Sequence, residues 1–400
     1  MKLKSAQPKP YASQLSNVLS AIETFLWFFN ESPYARLSSK EGVYDFALGN
    51  PHEMPLPGFA QALQTWAVPQ NDAWFAYKMS EPASRETAAA ALSKRTGVAF
   101  SPDDMYMTNG AFAALSITVK TILEPEDEII YVSPPWFFYK AIIVSHYGAA
   151  VRVPCDPASF LPDLDAIRRA ITPRTRAILI NSPNNPTGRV YPPAFLTELA
   201  NLLNDASQHI QHPILLISDE SYSRILFSGV EFHSPAEFYP HTFVIYTYGK
   251  TLLTPGQRIG YIALPQAMPQ REQYRPAILA AQIVGGYSFP NALLQHALPD
   301  LENLIIDLPS LERRRARLVR ALGEMGYETS TPQGTFYLLA RSPIPNDLDF
   351  ITLLGEENIL CLPGSAFEMA GYFRISLTAS DAMVEGALPG FARALARVRR

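Results

Sequence analysis

Lys250 and Arg258 stand eight residues apart in the stretch YTYGKTLLTPGQRIGY, just after the apolar run FVIY at 243–246. A lysine at the end of a buried strand is either a loop residue lifting its ammonium into water or a reactive amine. Its company decides between the two. SDESYSRILF puts Asp219 and Tyr222 directly after another apolar run, ILLI at 214–217. An acid in that place caps a helix, binds a metal or partners a buried cation. No His or Cys cluster at metal-ligand spacing accompanies it, which argues against a metal. NSPNNPTGRVY (181–191) follows AILI (177–180) and either turns the chain into a helix or offers the Asn185 amide to a ligand oxygen. TNGAFAALSI (108–117) opens a helix on Gly110, Ala111 and Phe112. That is an ordinary first turn or a phosphate site built from free N–H groups and the helix dipole. SPPWFFYK (133–140) places Trp136 after a further run, as core packing or as a plate for a flat ring. With the Thr247 hydroxyl and Arg258 as a forked phosphate donor, the set contains the parts for pyridoxal phosphate held as a Schiff base.

These residues need a scaffold that brings strand ends together. The runs IIYV (129–132), AILI, ILLI, FVIY and IGYIAL (259–264) are continuously apolar, which implies strands buried on both faces. Helical patterns at 111–123, 162–171 and 193–206 lie between or before them. The expected fold class is therefore α/β, a three-layer α/β/α large domain with a mainly parallel sheet, whose ligands sit at the carboxyl ends of the strands. From 291 to 325 the pattern is helical, with Pro299 and Pro309 expected to break or kink it. TFYLLA (335–340), ILCL (359–362) and YFRISL (372–377) then predict strands of a smaller α+β domain. The expected division is an N-terminal segment at 1–48 packing with the small domain, a large domain at 49–280 and a small domain at 281–400.

Composition narrows the class of protein. The net charge is −4, with no basic patch of the kind a nucleic acid or an anionic membrane requires. The most apolar early stretch, FLWFF at 25–29, is far shorter than a membrane span, and MKLKSAQPKPYASQL has no apolar core of the signal-peptide kind. Two cysteines, Cys155 and Cys361, suit a reducing compartment, so a cytoplasmic protein is expected.

In their order along the chain, SPNNPTG, DESY, TYGK with an arginine eight residues on, PGSAF and FRISL resemble the class I/II aminotransferases, the aspartate-aminotransferase-like group of fold type I. The resemblance runs from about residue 44 to the end. It implies that Lys250 joins the cofactor covalently and later moves a proton at the substrate, and that Asp219 pairs with the pyridine nitrogen. It gives Tyr222 and Asn185 the cofactor's phenolic oxygen and Trp136 the stacking role. Gly110, Ala111, Phe112, Thr247 and Arg258 become the phosphate cup. Phe112 stands where many members carry a polar residue. Thr247 and Gly249 stand where many carry serines, so one hydroxyl remains. Arg374 becomes the clamp on the substrate's α-carboxylate, with Gly49 and Asn50 on a segment passing over the substrate. Tyr77 resembles a tyrosine that reaches the neighbouring subunit's phosphate, with Ser288 as a second such contact, which implies a homodimer with shared sites. In the family's usual Y-x-x-x-x-G pattern, Pro82 here replaces the glycine.

The implied reaction is transamination between an L-amino acid and a 2-oxo acid. The same residues serve a C–S β-lyase, a synthase or a decarboxylase, and a fold does not separate these chemistries. A ligand-sensing protein without catalysis is a more distant alternative, disfavoured by the retained Lys250. Dicarboxylate-specific relatives carry an arginine just before the S-x-P segment, and QIVGGYSFPN has none. The aromatic stretch FLWFFNESPY (25–34) either lines a side-chain pocket or packs a core helix.

Overall fold

A computed structural model describes residues 11–399; the first ten residues of the expected N-terminal segment lie outside it. Among the described residues there are twelve strands: β1 Tyr44–Asp45, β2 Phe100–Thr108, β3 Glu128–Ser133, β4 Ala149–Pro154, β5 Thr175–Asn181, β6 Leu215–Asp219, β7 Thr242–Thr247, β8 Gly260–Pro265, β9 Tyr337–Arg341, β10 Ile359–Leu360, β11 Leu362–Pro363 and β12 Tyr372–Ser376. Seven form one sheet in the order β2-β8-β7-β6-β5-β3-β4. Only β8 runs against its neighbours, so the sheet is mostly parallel, as the continuous apolar runs predicted.

The reason is visible residue by residue. Ile129, Tyr131, Leu179, Ile217, Phe243 and Ile245 fill one side of the sheet beneath the helix Gly110–Ile122. Their neighbours Ile130, Ile178, Ile180 and Leu216 fill the other, against the helix Pro193–Ile210. Both positions of each period-two repeat are apolar because both faces are covered.

A second core gathers Phe336, Phe350, Phe373 and Phe391 around the antiparallel order β11-β12-β9, and takes in Phe28 and Phe46 from the N-terminal part of the chain. The helix Gln14–Ala21 instead lies on Tyr139–Ser145, where Gln14 donates to the Val144 and Ser145 carbonyls.

The region 291–325 differs from expectation at one proline. It resolves into helices Ala292–Leu301 and Leu308–Met325, the first of which accommodates Pro299 in its last turn. Pro309 starts the second helix rather than breaking one, because a first-turn N–H has no intrahelical partner to lose. The same logic applies to Pro82, which opens the helix Pro82–Thr96.

Candidate active site

The buried strands β3, β5, β6 and β7 end on one side of the sheet, and the polar residues that follow them surround a cavity of about 230 Å³. At the end of β6, Asp219 is buried and held from three directions. Tyr139 Oη donates to Oδ2 at 2.7 Å, while the Ser221 hydroxyl and N–H donate to Oδ1 at 2.5 and 3.1 Å. Burial raises the Asp219 pKa, and these hydrogen bonds, with the Lys250 charge, oppose the rise. From the end of β5, Asn181 donates to the Asp219 carbonyl at 2.8 Å and accepts the Asn185 N–H at 2.7 Å, which fixes the following loop.

Lys250 sits on a single helical turn, Tyr248–Thr251, directly after β7. One turn is not stable alone, and here it is bolted to the core. Tyr248 donates to Glu302 at 2.6 Å, and Thr251 bonds the Tyr246 hydroxyl at 2.6 Å. Glu302 also receives Arg95 at 2.6 Å and Arg224 at 3.2 Å. The Lys250 ammonium lies 5.7 Å from the ring centres of both Tyr222 and Phe336, an aromatic slot at the cavity edge.

Beside it is a site suited to an anion. The helix Gly110–Ile122 starts without a side-chain cap, leaving its first N–H groups without that partner, and Ala111 and Phe112 of that turn line the cavity. Gly110 has φ +82°, and a Cβ there would stand 2.7 Å from Arg258 Nη2, so only glycine lets the guanidinium approach the helix start. Arg258 donates to the Pro255 carbonyl at 2.6 Å, and the buried Thr247 hydroxyl donates to the Ile259 carbonyl at 3.2 Å.

Arg374 enters from β12. It is 2% exposed, donates to Asn185 Oδ1 and the Ala47 carbonyl at 2.9 Å each, and stacks 3.7 Å over the Tyr337 ring. Its Nε is buried without a partner, and burial lowers its pKa. No carboxylate pairs with it among the described residues. Tyr337 bonds Tyr222. Burial alone would raise the Tyr337 phenol, but Arg374, Lys250 and the Tyr222 bond together hold it below its ordinary value. Gly49 passes directly above: a Cβ would meet the Tyr337 hydroxyl and Phe336 ring at 2.5 Å. Leu48, Gly49 and Asn50 thereby become part of the cavity wall.

Trp136 completes the wall, with its ring centre 5.1 Å from Phe112 and 5.6 Å from Tyr139. All the residues singled out at the strand ends therefore converge. Tyr77 does not: it is 85% exposed, 4.7 Å from the Phe289 ring, and with Ser288 lies outside this cavity. Tyr139, Asn181, Ser221 and Tyr337 were not anticipated. A tyrosine three residues after Trp136 and a serine two after Asp219 were the available signals; Tyr337 carried none beyond following Phe336 in a strand. Phe25 stacks 5.0 Å from Phe137, which lines the cavity, so the aromatic N-terminal stretch backs the wall rather than forming it. Among the described residues no group of His, Cys, Asp and Glu could hold a metal, and no helix is long and apolar enough to cross a membrane.

Comparison with known proteins matches residues 41–390 to the family model for aminotransferase class I and II. A probable aspartate/prephenate aminotransferase of Thermus aquaticus is 33% identical over 82% of this chain and 85% of its own length. An aromatic-amino-acid aminotransferase of Thermococcus litoralis is 26% identical over 87% and 90%. The crystal structure of an amino transferase from Eubacterium rectale superposes with a TM-score of 0.89 at 28% identity, covering 98% of this chain and all of that one. The chain belongs to the class I and II aminotransferase family and is an enzyme of amino-group transfer, with the α/β fold of that group.

Proposed function

We propose that the cavity binds pyridoxal 5′-phosphate and transfers an amino group between an L-amino acid and a 2-oxo acid, with Lys250 as covalent anchor. Arg374 carries this reading. A guanidinium buried without an anion costs several kcal/mol, and an α-carboxylate brought by each substrate would supply the missing partner at its unbonded Nε.

The residues present fit the cofactor group by group. The uncapped helix start, Arg258 and Thr247 suit a phosphate, and the Gly110 cradle lets them meet. Asp219 suits a protonated ring nitrogen, Trp136 a ring face, and Tyr222 with the Asn185 NH2 group a phenolic oxygen. Pyridoxal phosphate, when bound, supplies an electron sink that weakens the bonds at the substrate's α-carbon. Lys250 then serves as the base that takes and returns the α-proton. Tyr139 and Ser221 aim Asp219 and favour its charged form against the effect of burial, Tyr337 holds the Arg374 plane, and the Leu48–Asn50 segment shields the site from water.

The reading extends to a homodimer. Tyr77, Phe289, Ile283, Val284 and Leu279 are exposed apolar residues, and the Tyr77 and Phe289 rings lie 4.7 Å apart. A second copy would cover them and place Tyr77 at the partner's phosphate. Cys155 and Cys361 are both free thiols, which suits the cytoplasm. We also assign 49–280 to a cofactor-binding domain and 281–400 to a smaller one, with 1–48 packing on the latter.

Purified protein given pyridoxal phosphate should gain a visible band, and borohydride should fix the cofactor's mass to Lys250. A protein that stays colourless refutes the proposal. Lys250→Ala should end amine transfer, while Arg374→Lys should lower kcat/KM for every donor by about 100-fold and leave cofactor binding unchanged. Oxo acid and ammonia released without any acceptor would assign a lyase instead.

A further inference from the structure

Glu368 occupies a backbone position that suits glycine. It follows the short helical turn Gly364–Phe367 in the left-handed region, at φ +58° and ψ +28°. A residue with a side chain adopts that conformation at a cost and keeps it only where its surroundings hold it there. The side chain is therefore the place to look for a task.

Its carboxylate spans two parts of the fold. Glu368 lies on the loop between β11 and β12, which pair with Leu362 opposite Arg374, and it stands six positions ahead of that arginine. The buried Asp347 holds the loop from within, accepting the Ser365 N–H and hydroxyl at 2.7 Å each and the Gly371 N–H at 3.1 Å. Glu368 reaches the other way, to the central sheet. Its Oε1 accepts the hydroxyl of Tyr131 of β3 at 2.7 Å, and its Oε2 accepts Nε of Arg152 of β4 at 2.7 Å. Arg152 also donates to Ser133 Oγ at 2.9 Å, at the end of the strand from which the Trp136 loop departs. Tyr131 is buried, and burial together with the Glu368 bond raises its pKa, so its hydroxyl stays a donor.

We infer that Glu368 is a positioning residue for amine transfer: by joining the Arg374 strand to the ends of β3 and β4, it sets how the guanidinium meets the substrate's α-carboxylate. The inference rests on the amino-transfer reading. Arg374 is already tied to the sheet at one point, through Asn185 beyond the end of β5. One attachment fixes a distance and leaves the tilt of the strand free; a second, on the neighbouring strands β3 and β4, fixes the tilt. A guanidinium binds a carboxylate through two parallel hydrogen bonds, so tilt decides whether both form. Misplacing such a group by about 1 Å costs up to about 100-fold. The Arg152 half of this link is half-exposed and screened by solvent, so the loss expected on removing Glu368 is about 10-fold.

Glu368→Gly and Glu368→Ala test this on the holoenzyme. Both remove the carboxylate, and glycine alone also relaxes the backbone, so the glycine variant should melt at the higher temperature. Calorimetric titration with succinate and with 3-phenylpropionate reads carboxylate binding without turnover, and single-turnover spectra with a panel of amino acids separate affinity from rate. In both variants the Kd for analogue and for donor should rise about 10-fold, with the maximal rate within threefold of wild type and the cofactor Kd unchanged. Tyr131→Phe, which keeps the charge pair, should give a smaller loss of the same kind. In an Arg374→Lys background, Glu368→Gly should cost less than twofold more, because the fork that it positions is gone. Glu328→Gln, which breaks an exposed pair with Arg341 of β9, should change none of these values. Wild-type affinity in Glu368→Gly, affinity that follows melting temperature across the two variants, or an undiminished loss in the Arg374→Lys background overturns the inference and leaves the amino-transfer reading standing. If no amino acid changes the spectrum of the wild-type holoenzyme, the amino-transfer reading fails and takes this inference with it.

Discussion

Gly110→Ala tests the anion end of the site most directly. The backbone there has φ +82°, and an L side chain in the left-handed region costs about 1 kcal/mol. That strain is present with or without ligand, so it lowers stability and leaves affinity alone. The new Cβ acts differently. It would stand 2.7 Å from Arg258 Nη2 and 3.1 Å from Cζ, against an optimal separation of roughly 3.5 Å or more. The guanidinium, at the end of a solvent-facing side chain, is the group that gives way, by about 1 Å. Its bond to the Pro255 carbonyl must bend with it. A charge-assisted hydrogen bond to phosphate is worth about 1.5–3 kcal/mol, so pyridoxal phosphate should bind about 10- to 150-fold more weakly. The assay is titration of the apo protein with cofactor, followed by the visible band, alongside a urea melt for the stability term. Gly256→Ala is the control, because nothing lies within 4 Å of a Cβ at that position. A cofactor Kd for Gly110→Ala within threefold of wild type, or an equal loss in Gly256→Ala, would refute the cradle.

Two further outcomes follow from the buried acids. Tyr139→Phe removes one donor to the Asp219 carboxylate, which favours its protonated form, so the acidic limb of the kcat/KM profile should move to higher pH; an unmoved limb would show that Tyr139 does not tune Asp219. Glu220 is buried beside Ser218 and Ser234, and burial pushes its pKa up to about 7, against the bonds from Ser234 and Ser218. The folded protein therefore keeps that proton after the unfolded chain has released it, and the stability tied to it is full in acid and lost as the pH rises from about 4.5 to 7. The loss amounts to roughly 3 kcal/mol. Glu220→Gln should flatten this part of the stability–pH curve in urea titrations, and parallel curves for the two proteins would count against the assignment.

Interior strands were legible because covering both faces of a sheet leaves a continuous apolar run, as in Ile129 to Val132. The edge strands were not. FSPDDMYMT, which forms β2, contains a proline and two acids, and its register with β8 shifts between Phe100 and Met105. Asp104 is buried there only because Arg271 and Arg275 reach it at 3.2 and 2.8 Å from a helix far along the chain. Local propensity had no access to that pairing. β4, the opposite edge, has only Val153 fully buried on the sheet and gives no run to detect.

The site divides along the same line. Asp219, Asn185, Trp136, Lys250 and Arg258 were readable because polar or bulky residues at buried strand ends are costly without a task. The residues that hold those groups in place are ordinary in type and were silent. Glu302 lies 52 positions from Lys250 in a helical stretch, yet its carboxylate fixes Tyr248 and, through it, the turn that carries the lysine. Arg95 and Arg224 neutralise that buried acid from two other elements. Arg374 needs Tyr337 beneath it, and Tyr337 leaves room for the cavity roof only because residue 49 has no side chain. The cavity lining was legible where one residue type is unusual for its place; positioning was not, because it belongs to contacts between segments that only the fold brings together.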